Sequence, residues 1–314
     1  MTIQQLGKLG WTPERIGSLK GKTYVITGAN SGAGYEASRI LLSKGAKVVM
    51  MNRNVSKTNA AIKALKETLN PNIDVTYVQV DLGVMDSVRF AAKELLKSVS
   101  TIDALICNGA IAQVPQQDIT VDGFESQLGV NHFGHFLLSG LVFDRINESK
   151  GRIVMVGSNA YKMGLKRIKF EDLNFDEKYT AWDSYAQSKL AQMMFGYELQ
   201  RRVKAAGKNV EVQVCHPGAS RTNLLMDTAS TFNKIMWSVM SRVIAQSAER
   251  GAWPEVMCAT EECLEPATLY GPTKRANTVG PVGENELDGV ALDKEMASKL
   301  WALSLEKTGL DWSL

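Results

Sequence analysis

The 314-residue chain carries 36 lysines and arginines against 33 aspartates and glutamates, so its net charge at pH 7 is only +3. Hydrophobic residues make up 45% and charged residues 22% of the sequence, which is typical of a globular protein and excludes disordered, collagen-like and disulfide-rich classes. The basic residues form no long run, which argues against a nucleic-acid partner.

Short β-branched runs alternate with amphipathic stretches along most of the chain. Predicted strands lie at residues 23–27, 47–51, 75–80, 104–107, 152–156 and 210–215, with a seventh near 268–270. Predicted helices lie near residues 33–44, 56–69, 86–98, 121–148 and 183–206. Because the strands are apolar on both faces and separated by helices, we predict an α/β doubly wound Rossmann fold, with a parallel sheet of about seven strands and helices on both faces.

No internal repeat, linker or shift in composition divides the sequence, so we predict a single domain over residues 1–314, with its core at about 20–220. Residues 160–181 are polar and predicted to be irregular. The Met- and Trp-rich segment 219–250 is interpreted either as a lid over substrate, since ligands bind outside the carboxyl ends of such strands, or as a packing or dimer helix. The roles of residues 1–20 and of a C-terminal extension, 280–314, stay open.

The four cysteines show neither a CxxC pair nor metal-ligand spacing, which favours a reducing compartment: Cys107, Cys215, Cys258 and Cys263. Cys107 and Cys215 lie inside apolar runs and are expected to be small buried hydrophobes. The first residues lack the apolar core of a secretory signal, and no stretch approaches the roughly 20 apolar residues of a membrane helix. We therefore expect a cytoplasmic protein without a membrane span.

A glycine-rich turn directly follows the first predicted strand and opens a helix, with the sequence TGANSGAG at residues 27–34. Glycines allow a tight turn and close approach of the backbone to a pyrophosphate, and the helix N-terminus offers N–H groups to phosphate oxygens. The sequence therefore predicts dinucleotide contacts at Gly28, Asn30, Ser31, Gly32, Ala33 and Gly34.

The spacing TGxxxGxG differs from the GxGxxG of the large dehydrogenases and resembles the short-chain dehydrogenase/reductase family, over about residues 20–220. The segments VNHFGHFLL, RIVMVGSNA, YAQSKLAQMMFGYELQRR and CHPGASRTNL resemble its retinol dehydrogenase and protochlorophyllide oxidoreductase branch. That resemblance implies a bulky hydrophobic carbonyl or alcohol substrate, generally handled with NADP.

The residues after the second strand bear on the choice of cofactor. An NAD-preferring member of the family carries an acid here for the ribose 2′-hydroxyl, whereas this chain has Asn52 followed by Arg53. A carboxylate would repel a 2′-phosphate, and a guanidinium can bind it through two hydrogen bonds. Lys57 lies one helical turn further on and adds a second cation. We predict NADP(H) as the cofactor.

The resemblance implies further cofactor contacts after the third, fourth and sixth strands, at Asp81, Leu82, Asn108, Gly109, Pro217, Gly218 and Thr222. Asp81 and Leu82 match the pair that meets the adenine. Asn108 and Gly109 stand where the family usually reads Asn-Ala-Gly, and the two small residues are transposed in this chain. Pro217 and Thr222 match positions beside the nicotinamide.

The motif YxxxK, formed by Tyr185 and Lys189, places both side chains on one face of a predicted helix. A tyrosine has an ordinary pKa of about 10, and a neighbouring ammonium together with the charge of the cofactor's nicotinamide ribonucleotide favours the phenolate and so lowers that pKa. Tyr185 is the predicted acid/base. By resemblance, Lys189 also binds the nicotinamide ribose, Ser158 binds the substrate oxygen, and Asn131 positions a water for proton relay.

Two histidines near the predicted active site, His132 and His135, are spaced as a metal pair would be. No third ligand stands at suitable spacing, so we interpret both as packing residues and predict no metal. His216 precedes the Pro-Gly pair after the sixth strand.

These observations predict an NADP-dependent carbonyl reductase or alcohol dehydrogenase acting on CH–OH and C=O groups of a small molecule. One alternative is a regulator that senses NADP(H) without turnover, although such proteins usually lack a catalytic residue. A light-dependent tetrapyrrole reductase is a further alternative. Epimerases share YxxxK but normally have TGxxGxxG. The family often forms dimers or tetramers through helices corresponding to 121–148 and 183–206, whose apolar faces suit a core or a subunit interface equally well.

Overall fold

The computed structural model describes residues 10–219 and 246–314. Its strands are β1 Thr23–Thr27, β2 Lys47–Asn52, β3 Val75–Gln79, β4 Ala104–Cys107, β5 Arg152–Val156, β6 Glu211–Cys215, β7 Leu269–Lys274 and β8 Val279–Asn285. Its α-helices are α1 Gly32–Ser43, α2 Val55–Thr68, α3 Met85–Ser98, α4 Gly134–Glu148, α5 Ala181–Ala205, α6 Ala248–Thr260 and α7 Lys294–Thr308.

The strands form one eight-stranded sheet in the order β3-β2-β1-β4-β5-β6-β7-β8. All pairs are parallel except the last, β7 with β8, so the doubly wound Rossmann fold is confirmed. The sequence predicts about seven strands, and the eighth is antiparallel. Its sequence, VGPVGEN, does not predict a strand because glycine and proline are poor strand formers. An edge strand tolerates them.

Helices pack on both faces of the sheet, as predicted. One core cluster joins α3, α4, α5 and α7 to the sheet, and the other joins α1 and α6 to the opposite face. The order of strands reverses between β1 and β4, which opens a crevice at their carboxyl ends. The glycine-rich turn and the residues after β4 meet in this crevice.

The outer faces of α4 and α5 carry aromatic side chains that the chain itself covers. The Phe136 ring lies 5.1 Å from that of Trp301 on α7 and 5.5 Å from that of Trp312. On α5, Phe195 lies 6.0 Å from Trp301. From the sequence, the apolar faces of these helices suited a core or a subunit interface equally well. They pack against the C-terminal helix and tail, so residues 280–314 have a structural role.

The helix predicted at 121–148 is broken into three pieces. A short turn, Ser126–Leu128, leads into a π-helical turn, Gly129–Phe133, and only then into α4. Such π turns are frequent at functional sites because they displace backbone and side chains from the regular helical positions. This one contains Asn131.

Two predictions fall partly outside this description. Most of the segment 219–250, including Thr222, lies outside the described residues. Among residues 10–219 and 246–314, no helix combines the length and the apolar character needed to cross a membrane. Cys107 and Cys215 are buried, as predicted for small hydrophobes.

Candidate active site

The glycine-rich turn is closed against the end of β4. Gly28 has a φ of +66°, and a Cβ there would lie 2.7 Å from the Cα of Gly109. A Cβ on Gly34 would lie 2.5 Å from Nδ2 of Asn108. That amide donates to the carbonyl of Thr27 at 2.9 Å, and Gly109 N–H donates to Thr27 Oγ1 at 2.9 Å. Asn108 and Gly109 therefore hold the turn in shape.

The N-terminus of α1 follows this turn and is suited to an anion. Gly32 begins the helix with a φ of +58°, and the Ser31 side chain makes no capping hydrogen bond to it. The first turn contains no acidic residue, so the N–H groups of Gly32, Ala33 and Gly34 meet no competing carboxylate of their own helix. In the turn that precedes them, Asn30 Nδ2 lies 3.5 Å from Thr58 Oγ1.

The residues after β2 and β3 form the other end of the crevice. Asn52 is buried, and neither polar atom of its amide has a hydrogen-bond partner in the part of the chain that the structure describes. The Arg53 side chain is 73% exposed, with Nη1 3.9 Å from Oδ2 of Asp81. Lys57 lies in the first turn of α2, and Leu82 is buried beside the glycine turn. The structure thus brings together the cation and the carboxylate that the sequence singled out.

Tyr185 and Lys189 lie one turn apart on α5 and are both buried, with exposed fractions of 9% and 3%. Burial raises the pKa of the Tyr185 phenol, and its hydrogen bond with Ser158, which follows β5, lowers that pKa. The group that opposes the effect of burial is thus the Ser158 hydroxyl rather than the Lys189 ammonium that the sequence suggested. With burial the larger effect, the phenol stays protonated at neutral pH.

Lys189 is directed toward the ends of β4 and β5. Its Nζ donates to the carbonyl of Val156 at 3.0 Å and to Oε1 of Gln192 at 2.9 Å. Burial lowers the pKa of this ammonium to about 7. The lysine is therefore a buried hydrogen-bond donor whose charge is costly.

Two amide side chains, those of Asn131 and Gln127, connect α5 to the π-helical turn and to the short turn before it. The Asn131 amide binds both main-chain groups of Ile111 and donates to Ser188 Oγ, each at 2.9 Å. One turn earlier, Gln127 Nε2 donates to Ser184 Oγ at 2.9 Å. These serines directly precede the predicted lysine and acid/base, so the two bonds hold this part of α5 against the segment that contains the π-helical turn. Gln127 was not predicted as a site residue, although the spacing 127/131 matches 184/188.

The histidines are buried and hydrogen bonded. His135 binds the Thr27 hydroxyl through Nε2 at 2.9 Å and the carbonyl of Asn131 through Nδ1 at 3.1 Å. His132 Nε2 lies 2.8 Å from Ser304 Oγ on α7. Burial lowers the pKa of His135 to about 4 and of His132 to about 3, so both rings are neutral at pH 7. Their contacts agree with the packing roles that the sequence indicated.

The Pro217–Gly218 pair leaves β6 beside the β7–β8 hairpin. Gly218 has a φ of +66°, and its N–H donates to His216 Nδ1 at 3.2 Å. Because Nδ1 accepts this bond, the His216 proton is on Nε2, which donates to Asn285 Oδ1 at 2.6 Å. The eighth strand thereby orients the chain where the sequence placed a nicotinamide contact. Thr222 lies outside the described residues.

Comparison with known proteins agrees with this architecture. The model of the short chain dehydrogenase family matches residues 22–170. Human retinol dehydrogenase 13 is 34% identical over 94% of this chain and 86% of its own length, and human retinol dehydrogenase 14 is 36% identical over 94% and 88%. An uncharacterized protein from Mycobacterium paratuberculosis, known from its crystal structure, is 37% identical, with a TM-score of 0.78 over 97% of this chain and 100% of its own.

The fold, the glycine turn and these identities define the class: the chain belongs to the short-chain dehydrogenase/reductase family. Within that family it falls in the retinol dehydrogenase-like branch, as the sequence predicted. It is accordingly an oxidoreductase that uses a nicotinamide cofactor.

Proposed function

We propose that this protein is an NADP(H)-dependent carbonyl reductase and alcohol dehydrogenase with Tyr185 as its acid/base. The bound nicotinamide supplies or accepts the hydride. The observation that carries the proposal is the buried Tyr185 phenol at the carboxyl edge of the sheet, hydrogen bonded to Ser158 and one helical turn from the buried Lys189. A regulator without turnover has no need to keep these three side chains together in a desolvated site.

In the direction of reduction, the Ser158 and Tyr185 hydroxyls both donate hydrogen bonds to the carbonyl oxygen of the substrate. As the oxygen becomes an alkoxide, the Tyr185 proton passes to it and the phenol becomes a phenolate. Oxidation of the alcohol reverses these transfers. Because burial raises the pKa of Tyr185, the resting site holds the proton that reduction needs.

The crevice residues fit a phosphorylated dinucleotide. The missing Cβ atoms of Gly28 and Gly34 let the turn lie close against Asn108 and Gly109, with the α1 N-terminus open to phosphate. The buried amide of Asn52 has no partner among the described residues, which leaves it able to bind a ribose. Beside it, the exposed guanidinium of Arg53 is positioned for a 2′-phosphate. Together with the absence of an acid at position 52, these features support NADP(H) over NAD(H).

A bulky hydrophobic carbonyl or alcohol is the proposed substrate class. The relatives above are named retinol dehydrogenases, and this chain has exposed apolar side chains near its site. The Trp182 ring lies 6.4 Å from the ring of Tyr185 and is 38% exposed, while Met163, after Ser158 in the chain, is 64% exposed. Apolar groups at the edge of a site lower the free energy of a hydrophobic ligand more than that of a polar one.

The test is a survey of carbonyl substrates with the purified chain. Oxidation of NADPH is followed with aldehydes, aliphatic and aryl ketones, β-keto esters and retinal, and repeated with NADH. Turnover that prefers NADPH and depends on Tyr185 would support the proposal. Tight NADPH binding without turnover of any carbonyl would contradict it and favour the regulator.

A further inference from the structure

Gln192 lies one turn after Lys189 on α5 and is completely buried. Its Oε1 accepts the hydrogen bond from Lys189 Nζ at 2.9 Å, and its Nε2 donates to the carbonyl of Cys107 at 3.2 Å. Cys107 is the last residue of β4 and directly precedes Asn108, whose amide donates a hydrogen bond to Thr27 O at the start of the glycine turn. One amide therefore connects the active-site lysine to the strand at the centre of the cofactor crevice.

The other titratable groups that face Lys189 in the described part of the chain are uncharged at neutral pH. Burial raises the pKa of the Tyr185 phenol on the same helix and of the Cys215 thiol on β6. Burial also lowers the pKa of His135, which belongs to α4, to about 4. Within residues 10–219 and 246–314 no carboxylate contacts the ammonium, which donates to two neutral acceptors, the Val156 carbonyl and Gln192 Oε1.

A buried ammonium is costly unless its protons are hydrogen bonded. Val156 O is a main-chain group at the end of β5 and is present whatever the side chains are. Gln192 Oε1 is the acceptor that depends on residue identity, and the bond from Nε2 to Cys107 holds it in place. Its loss would remove half of this compensation and allow Nζ to turn away from the β4–β5 edge.

We propose that Gln192 is a positioning residue for the reaction: its amide orients Lys189 and stabilises the protonated lysine beside Tyr185 and the nicotinamide ribose site. This role rests on the proposed function. Gln192 itself touches neither the substrate nor the transferred proton and acts through Lys189.

The test is the titration of Lys189 in the full chain without cofactor, observed by NMR of lysines labelled with carbon-13 at Cε. The Lys189 signal is assigned by its loss in Lys189→Met. Gln192→Met keeps a similar volume but removes the acceptor, so the midpoint for Lys189 should fall by about one pH unit, the equivalent of one lost hydrogen bond to a charged group. Gln192→Glu restores an acceptor with a charge and should move the midpoint above that of the wild type.

The matched control is Gln200→Met, on the same helix. Gln200 Nε2 donates to the Val212 carbonyl at 2.8 Å, and its Oε1 accepts from Ala267 N–H at 2.8 Å, so this variant also loses two amide hydrogen bonds, but none to a lysine. It should leave the Lys189 midpoint unchanged. In activity, the pH profile of kcat/KM should shift in Gln192→Met in the same direction as the lysine titration and stay unchanged in Gln200→Met.

An unchanged Lys189 midpoint in Gln192→Met would overturn the role of Gln192. If that variant does not fold, Gln192→Glu decides, and an unchanged midpoint there has the same meaning. The NMR readout needs no turnover, so it separates the two proposals. A shifted lysine in a chain that reduces no carbonyl would refute the reductase and retain the contact, whereas an active wild type with an unmoved lysine would refute only the positioning role.

Discussion

The two ends of the crevice hold their functional side chains in opposite ways. At the chemical end, Tyr185 and Lys189 are buried and joined to neighbouring elements by hydrogen bonds. At the nucleotide end, the Arg53 side chain is 73% exposed, and its guanidinium lies 3.9 Å from the Asp81 carboxylate. Burial changes the pKa values that an acid/base needs and destabilises the native state, whereas an exposed guanidinium affects folding little and binds an anion from water.

This contrast predicts that substitutions at the chemical end alter rate and stability together, and that those at the nucleotide end alter cofactor choice alone. The variants that follow test this, beginning with the largest expected effect.

Tyr185→Phe removes the proton donor and leaves the ring in place. We expect kcat/KM for carbonyl reduction to fall by about 10²–10⁴-fold, the usual contribution of a general acid, while the Kd for NADPH changes only a few-fold. Steady-state kinetics and fluorescence titration measure the two. The control is Tyr197→Phe on the same helix, which loses one hydroxyl contact, with the Thr268 carbonyl at 3.3 Å, and should keep its activity. Substantial activity in Tyr185→Phe would exclude it as the acid/base.

Lys189→Met tests the cost of the buried ammonium. Burial lowers the pKa of Lys189 from 10.5 to about 7, so between these values the unfolded chain holds a proton that the native chain has lost. The lysine's destabilising contribution is therefore complete below pH 7 and is relieved as the pH rises. Relative to Lys189→Met, the unfolding free energy of the wild type should increase by about 2 kcal/mol between about pH 7 and pH 9.

Urea denaturation of both proteins across this range provides the measurement. Curves of unfolding free energy against pH that run parallel for the two proteins would show that Lys189 keeps an ordinary pKa in the native state. The comparison between the two ends of the crevice would then lose its physical basis. Arg53→Ala keeps Lys189, so its curve should run parallel to that of the wild type.

The same contrast separates what the sequence predicts from what it misses. The strands of the doubly wound sheet and the glycine turn follow from local patterns, and TGxxxGxG and YxxxK need only short spacings. The partners of the buried groups come from distant segments of the chain. Gln192 donates a hydrogen bond to Cys107 O, and His216 donates one to Asn285 on β8, a strand that its own glycines and proline make hard to predict. The burial that raises the Tyr185 pKa could not be predicted from the sequence, because desolvation depends on the whole fold.

Arg53→Ala should have the smallest effect of these and the most selective. Removing an exposed guanidinium costs the cofactor one charge-assisted contact, so we expect the Kd for NADPH to rise about tenfold while that for NADH changes little. The difference should shrink as salt is added, because an exposed charge is screened.

The matched control for Arg53→Ala is Lys63→Ala, which removes one cation from an exposed position on α2 where its partner is Glu67. Both variants lower the net charge equally, so a general electrostatic effect would weaken NADPH in both, and only a direct contact with the 2′-phosphate separates them. Equal weakening of NADPH and NADH by Arg53→Ala would assign the guanidinium to the shared part of the cofactor. The choice between the two cofactors would then depend on the other residues that follow β2, Asn52 and Lys57.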